Sequence, residues 1–191
     1  MATVREGNRP VMVVVDVQVG VMKEAWEARR VIKNIALAVE RARTEAVPVI
    51  WVQHSNHELP EGSVQWQWVP ELVPVEGEAL IHKKYNSSFE QTTLDTELAR
   101  LGATHIVLAG AATNWCIRAT AYGALDRGYD LTLVKDAHTT ESMEIGGGVV
   151  IAAETVIQEL NIAMKWLEYP SLNNGTASAN DINFSMVGGS K

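Results

Sequence analysis

Residues 11–17 read Val-Met-Val-Val-Val-Asp-Val, an unbroken apolar and mostly β-branched run of strand length that ends at a carboxylate. A run without polar alternation has no face to offer water, so it predicts a strand covered on both sides, as in the interior of a parallel sheet. Related runs return at residues 48–54, 79–82, 105–110 and 131–136. Between them lie helical patterns. Residues 29–46 place Ile32, Ile35, Ala36 and Val39 at helical spacing and stop before Pro48, where a helix ordinarily ends. Further helices are predicted over 93–102, from about 114 to 127, and over 148–160, with 161–169 as a last edge strand. Strand and helix alternating in this way require right-handed crossovers. The predicted fold is α/β, a three-layer sandwich with a central, mostly parallel, Rossmann-like sheet.

The chain has 191 residues, enough for one sizeable core and too few for two comfortable domains. One domain is expected over 1–170. Residues 171–191 are polar and poor in branched apolar side chains, and are expected to form a flexible tail. Residues 54–78 are rich in Pro, Gly and Trp and long for a connection within a compact domain, so they are expected to act as a lid over the site. The formal net charge is −7 and the basic residues are scattered, which argues against nucleic acid and polybasic membrane contacts and favours a small-molecule substrate. No stretch has the length of a bilayer span and the amino terminus has no signal-peptide pattern, so a cytoplasmic location is expected.

In an open α/β sheet, ligands gather at the carboxyl ends of the strands. Asp16 closes the first strand, Lys83 and Lys84 follow the run at 79–82, and Cys116, the single cysteine, follows the run at 105–110 at the start of a helical pattern. Unpaired N–H groups and the positive dipole end at a helix start favour a thiolate and can receive an oxyanion. A thiolate beside a carboxylate and an ammonium suits covalent catalysis. A buried cysteine serving as a small hydrophobe is the competing reading, and Asp16 or the equivalent Asp136 could simply cap a turn. Neighbouring strand residues point to opposite faces, so only one of the two lysines can turn inward.

At these points the chain resembles the isochorismatase-like cysteine hydrolase superfamily, which includes nicotinamidases, N-carbamoylsarcosine amidases, ureidoacrylate amidohydrolases and streptothricin hydrolases. The likeness runs from about Arg9 to Tyr169. It rests on VVVDVQVG with Asp16, HKKYNSSFEQTTLDTEL with its lysine motif, and LAGAATNWCIRATAYGALDRGYDLTLVKDA with Cys116. In that family the lysine generally lies four positions before the serine of a Ser-x-Phe element, here Ser87 with Phe89, so the resemblance implies Lys83.

The resemblance implies a catalytic triad of Asp16, Lys83 and Cys116, a cis peptide at Ala111–Ala112, and an oxyanion hole formed by the N–H groups of Ala112 and Cys116. It implies cysteine-dependent hydrolysis of a C–N bond in a small amide, ureide or lactam through a thioester, and a homo-oligomer, dimeric or tetrameric. Isochorismatases of the vinyl-ether type usually lack the cysteine. Nicotinamidases carry Asp-x-His after the second strand, whereas this chain reads VQHSNHELP there, so no metal or other cofactor is expected and His54 and His57 are left as peripheral. Gln18, Trp66, Trp68 and Trp115 are candidate pocket walls. Two alternatives stand: a non-catalytic binding or redox-sensing protein of the same fold, or a vinyl-ether hydrolase.

Overall fold

The computed structural model describes residues 1–184. Among the described residues, eight strands and five α-helices alternate much as the apolar runs require. The first half comprises β1 (Pro10–Val15), α1 (Val19–Met22), α2 (Ala28–Thr44), β2 (Val49–His54), β3 (Ala79–Lys83) and α3 (Leu94–Arg100). The second comprises β4 (His105–Ala111), a π-helical turn (Thr113–Ile117), α4 (Arg118–Asp126), β5 (Asp130–Thr139), the small hairpin β6 (Met143–Glu144) and β7 (Val150–Ile151), α5 (Ala153–Trp166) and β8 (Asn174–Ala177).

Six strands form one sheet in the order β3-β2-β1-β4-β5-β8, every pair of them parallel. The chain order reverses between β1 and β4, so a crevice opens at their carboxyl ends. Because β1 lies in the middle, its side chains fill both layers. Val11, Val13 and Val15 join Leu94 and Leu98 of α3, Ala121 and Leu125 of α4, and Leu160 and Met164 of α5. Met12 and Val14 face the other way, against Val31, Ile35, Ala38 and Val39 of α2. This is the α/β three-layer sandwich that the sequence predicts. None of the described helices is long and apolar enough to cross a membrane.

Two expectations near the carboxyl terminus give way. Residues 161–169 do not form an edge strand; α5 runs on through them to Trp166, because Leu160 and Met164 continue its buried stripe. The edge position belongs to β8, which pairs with β5 from Leu131↔Asn174 to Val134↔Ala177. The residues assigned to a flexible tail therefore start inside the sheet. Ala179, Ile182 and Phe184 are then buried against the α2 layer, and the Arg41 guanidinium on α2 donates to the carbonyls of Ala179, Asn180 and Ile182. The rest of the expected tail, 185–191, lies outside the described residues.

At the crevice the backbones of β1 and β4 come unusually close. Gly110 has φ +130, and a Cβ at that position would collide with the backbone N and O of Val15. Neither obstacle can move without breaking the central strand pairing. Gly110→Ala should therefore lower the unfolding free energy by about 3 kcal/mol or more, measured by urea denaturation; a variant as stable as the parent would contradict this close approach.

Candidate active site

Asp16 follows β1 directly in the left-handed conformation, φ 52, a region that Asp tolerates better than most residues. Its N–H donates to Val52 O at 2.8 Å. The turn of the backbone leaves the carboxylate under the crevice, 1% exposed. Lys83, the last residue of β3, is 2% exposed while Lys84 faces solvent, as strand alternation demands. The Lys83 Nζ lies 2.7 Å from Asp16 Oδ2. It also reaches Cys116 Sγ at 3.2 Å, His54 Nδ1 at 3.2 Å and Tyr85 O at 3.1 Å. Asp16 Oδ1 is buried without a hydrogen-bond donor of its own.

Cys116 sits in the π-helical turn that joins β4 to α4. The Ala111–Ala112 peptide before it is cis, as the resemblance implies. The Ala112 carbonyl accepts from the N–H groups of Trp115 and Ile117, the second being the wide spacing typical of a π-turn, a device common at functional sites. The turn is braced from beneath. Thr113 Oγ1 pairs with His138 Nδ1 at 2.9 Å, and His138 Nε2 with Asn161 Oδ1 at 3.0 Å. Asn161 Nδ2 donates to Lys135 O, which makes its Oδ1 the acceptor and places the His138 proton on Nε2. Burial holds His138 at about 4, neutral throughout the physiological range.

The electrostatics differ from the expectation that the helix start would favour a thiolate. Burial first, then the Asp16 carboxylate, push the Cys116 thiol up to about 12, and Lys83 only partly opposes them. Lys83 is held above its ordinary value, because Asp16 and Cys116 outweigh the opposing effect of burial. The resting site is thus a neutral thiol over a carboxylate–ammonium pair. His54 is kept below the usual histidine range, by burial and then by Lys83, with Asp16 pulling the other way.

The expected pocket walls fare unequally. Trp115 is 53% exposed beside the thiol and is free to meet a ligand. Gln18 is fully buried and spent: its Nε2 donates to His54 O and Trp66 O, both at 2.9 Å, and its Oε1 accepts from His54 N. Trp66 gives its carbonyl to Gln18 and Gln53 and stacks its ring on His82, 5.7 Å between centroids. Trp68 turns edge-on to the buried Trp51 at 5.4 Å and packs on the α2 layer. The loop also bonds to the start of α1, with Val19 N to Gln67 O, Gly20 N to Gln65 O and Val69 N to Val17 O. It is irregular, as expected, yet its middle is stitched down and does not form a hinged lid. His57 is exposed beside Glu58. His54 is the contact that sequence reasoning undervalued; its position at the end of β2, between the strands that carry Asp16 and Lys83, was the available signal. Among the described residues no three His, Cys, Asp or Glu side chains converge as metal ligands would.

Residues 10–145 match the Isochorismatase domain. The chain is 28% identical over 156 residues to the uncharacterized isochorismatase family protein YrdC of Bacillus subtilis, covering 78% of this chain and 83% of that protein. It is 32% identical over 111 residues to the secreted isochorismatase effector Isc1 of Verticillium dahliae, covering 54% of this chain and 57% of the effector. The match therefore spans little more than half the effector's length. The fold is that of an isochorismatase crystal structure from Pseudomonas putida, with TM-score 0.81 and 24% identity over 92% of this chain and 91% of the other. A cysteine hydrolase from Pseudomonas syringae gives TM-score 0.80 and 19% identity over 93% and 92%.

Two measurements follow from this geometry. Removing the Asp16 charge takes away a cause of the raised thiol pKa, while removing the Lys83 charge takes away the one opposing cause. At pH 8–9, iodoacetamide should alkylate Cys116 faster in Asp16→Asn than in the parent and slower in Lys83→Met, by mass spectrometry; the reverse order would refute the arrangement of charges. Trp68→Ala should cost about 3 kcal/mol of stability by loss of packing on Trp51, yet leave the alkylation rate of Cys116 as it is. A changed rate at unchanged stability would return Trp68 to the site.

Proposed function

The chain belongs to the isochorismatase family, and we propose that within it this protein is a cysteine-dependent hydrolase of a C–N bond in a small amide, ureide or lactam. The observation that carries the reading is the convergence of one thiol, one carboxylate and one ammonium: Lys83 Nζ lies 2.7 Å from Asp16 and 3.2 Å from Cys116 Sγ. A thiol sits where a nucleophile is needed. Asp16 Oδ1, the carboxylate oxygen outside the ion pair with Lys83 and without a donor, can take its proton.

In the proposed mechanism Asp16 accepts the Cys116 proton as Sγ attacks the carbonyl carbon, and a C–S bond forms. The N–H groups of Ala112 and Cys116 hold the negative charge on the carbonyl oxygen, a contribution of about 3–4 kcal/mol per donor in other enzymes. Collapse breaks the C–N bond, and Asp16 returns its proton to the departing nitrogen. Asp16 then takes a proton from water, hydroxide attacks the thioester, the C–S bond breaks, and the sulfur regains a proton from Asp16. Lys83 keeps its charge throughout and balances whichever neighbour is anionic. Trp115 is the proposed wall of the substrate pocket.

A redox-sensing role draws on a low-pKa, accessible thiol, and the burial and raised pKa of Cys116 weigh against it. The vinyl-ether alternative has no use for a nucleophilic sulfur. Ammonia or amine release should therefore be measured across small amides, ureides and lactams. Cys116→Ala and Asp16→Asn are each expected to lower kcat on an active compound by about a thousandfold or more. Steady turnover surviving in Cys116→Ala would reject covalent catalysis.

A further inference from the structure

We propose that His54 is a positioning residue for Lys83: its neutral imidazole, bare at Nδ1, holds one hydrogen of the ammonium until a Cys116 thiolate forms to receive it. The inference rests on the cysteine-hydrolase reading and adds a residue to it.

Topology makes some such group necessary. In the order β3-β2-β1, Lys83 at the end of β3 can meet Asp16 beyond β1 only by passing over the end of β2, and the last residue of β2 is His54. The Gln18 amide takes both the N–H and the C=O of His54, each at 2.9 Å, so the ring is carried on a fixed backbone. Around the ammonium stand four acceptors: Asp16 Oδ2 at 2.7 Å, Tyr85 O at 3.1 Å, and Cys116 Sγ and His54 Nδ1 at 3.2 Å each. An ammonium has three hydrogens. In the proposal the 2.7 Å ion pair with Asp16 and the Tyr85 carbonyl take two of them, which leaves the sulfur and the imidazole to compete for the third.

The competition changes sides during the reaction. A neutral thiol is a weak acceptor and an imidazole nitrogen a strong one, so the third hydrogen rests on His54 Nδ1. Once the thiol proton has moved to Asp16, the sulfur is an anion and charge-assisted hydrogen bonding draws that hydrogen to it. The ammonium needs only a small rotation. His54 thereby keeps Lys83 aimed without neutralising it, and its own proton stays on Nε2. Protonation at Nδ1 would remove the acceptor and set a second cation 3.2 Å from the first.

The charged groups acting on His54 are Lys83 from β3 and Asp16 beyond β1. Lys83 and burial favour the neutral ring and Asp16 opposes them, with the neutral form prevailing. Activity should accordingly hold at pH 7 and fall as the pH drops through a value below the usual histidine range.

The test uses the whole protein and two side chains of different chemistry. Asn places Oδ1 where His has Nδ1 and does not titrate; Phe offers no acceptor. On the panel compound turned over fastest, His54→Phe should lose about ten- to a hundredfold in kcat with little change in KM. His54→Asn should recover most of that loss and lack the parent's acid limb. Equal defects in both variants, or an unchanged pH profile in His54→Asn, would overturn the proposal. A second measurement needs no substrate. In ¹⁵N-histidine NMR at pH 7, the signal missing from His54→Asn should belong to the Nε2–H tautomer; an Nδ1–H tautomer would overturn the proposal even with catalysis intact. Should no compound be hydrolysed, the C–N reading falls and the tautomer alone decides the placement of His54.

Discussion

A carboxylate and an ammonium 2.7 Å apart, both almost out of reach of solvent, govern the arrangement of everything around them. Leaving either of two such groups alone in the interior costs about 3–5 kcal/mol, so each must keep its partner; Lys83 has further acceptors in Tyr85 O and His54 Nδ1, while Asp16 Oδ1 has no donor. Asp16 and Lys83 come from strands separated by a third. They can meet only because β1, β2 and β3 run parallel and end at one rim. The left-handed turn at Asp16, the inward phase of Lys83 and the close approach of Gly110 to Val15 are the local conditions for that meeting. The Cys116 thiol, delivered from the far side of the switch point by β4, then closes the third side of the pair.

The fixed frame extends to the loop between β2 and β3. Gln18, two residues after Asp16, ties the end of β2 to the Trp66 carbonyl, and Gln53 adds a second bond to the same oxygen. Such a buried, fully engaged amide loses its role if any partner moves. The loop is thus an abutment of the site whose position is shared with the carboxylate and with His54. Likewise His138 and Asn161 connect α5 and β5 to Thr113, so the π-turn that bears Cys116 is tied to the sheet and to α5 at its first residue.

Much of this was legible in the residue pattern, and the failures have physical causes. The run at 11–17 declares a doubly covered strand because it lacks polar alternation, and the Lys83–Lys84 pair declares one inward lysine because strands alternate. Choosing Lys83 took the family resemblance. The end of α5 was obscured because Ile162 and Trp166 are exposed, at 58% and 74%, and these apolar side chains on the solvent face blur the helical period. The strand Asn174–Ala177 is held by backbone pairing with β5, which Asn-Gly-Thr-Ala does not advertise. Trp66 and Trp68 read as pocket residues because they lie in the long loop beside the carboxyl ends of the strands, and Gln18 is grouped with them, whereas their partners lie across strands and are fixed only by the fold.

The raised thiol pKa changes how the site can begin its chemistry. With burial first and then Asp16 holding the thiol above its ordinary range, the neutral thiol is the form favoured at pH 7. In the proposed mechanism the proton leaves as the substrate carbonyl is attacked, and Asp16 Oδ1, which has no donor of its own, is the proposed acceptor. Removing the proton turns the carboxylate neutral and the sulfur anionic, so one negative charge shifts from one neighbour of Lys83 to the other. An ammonium between the two sites compensates both states, and the surroundings need little reorganisation. A buried thiol held in its neutral form is also a poor target for oxidants and stray electrophiles.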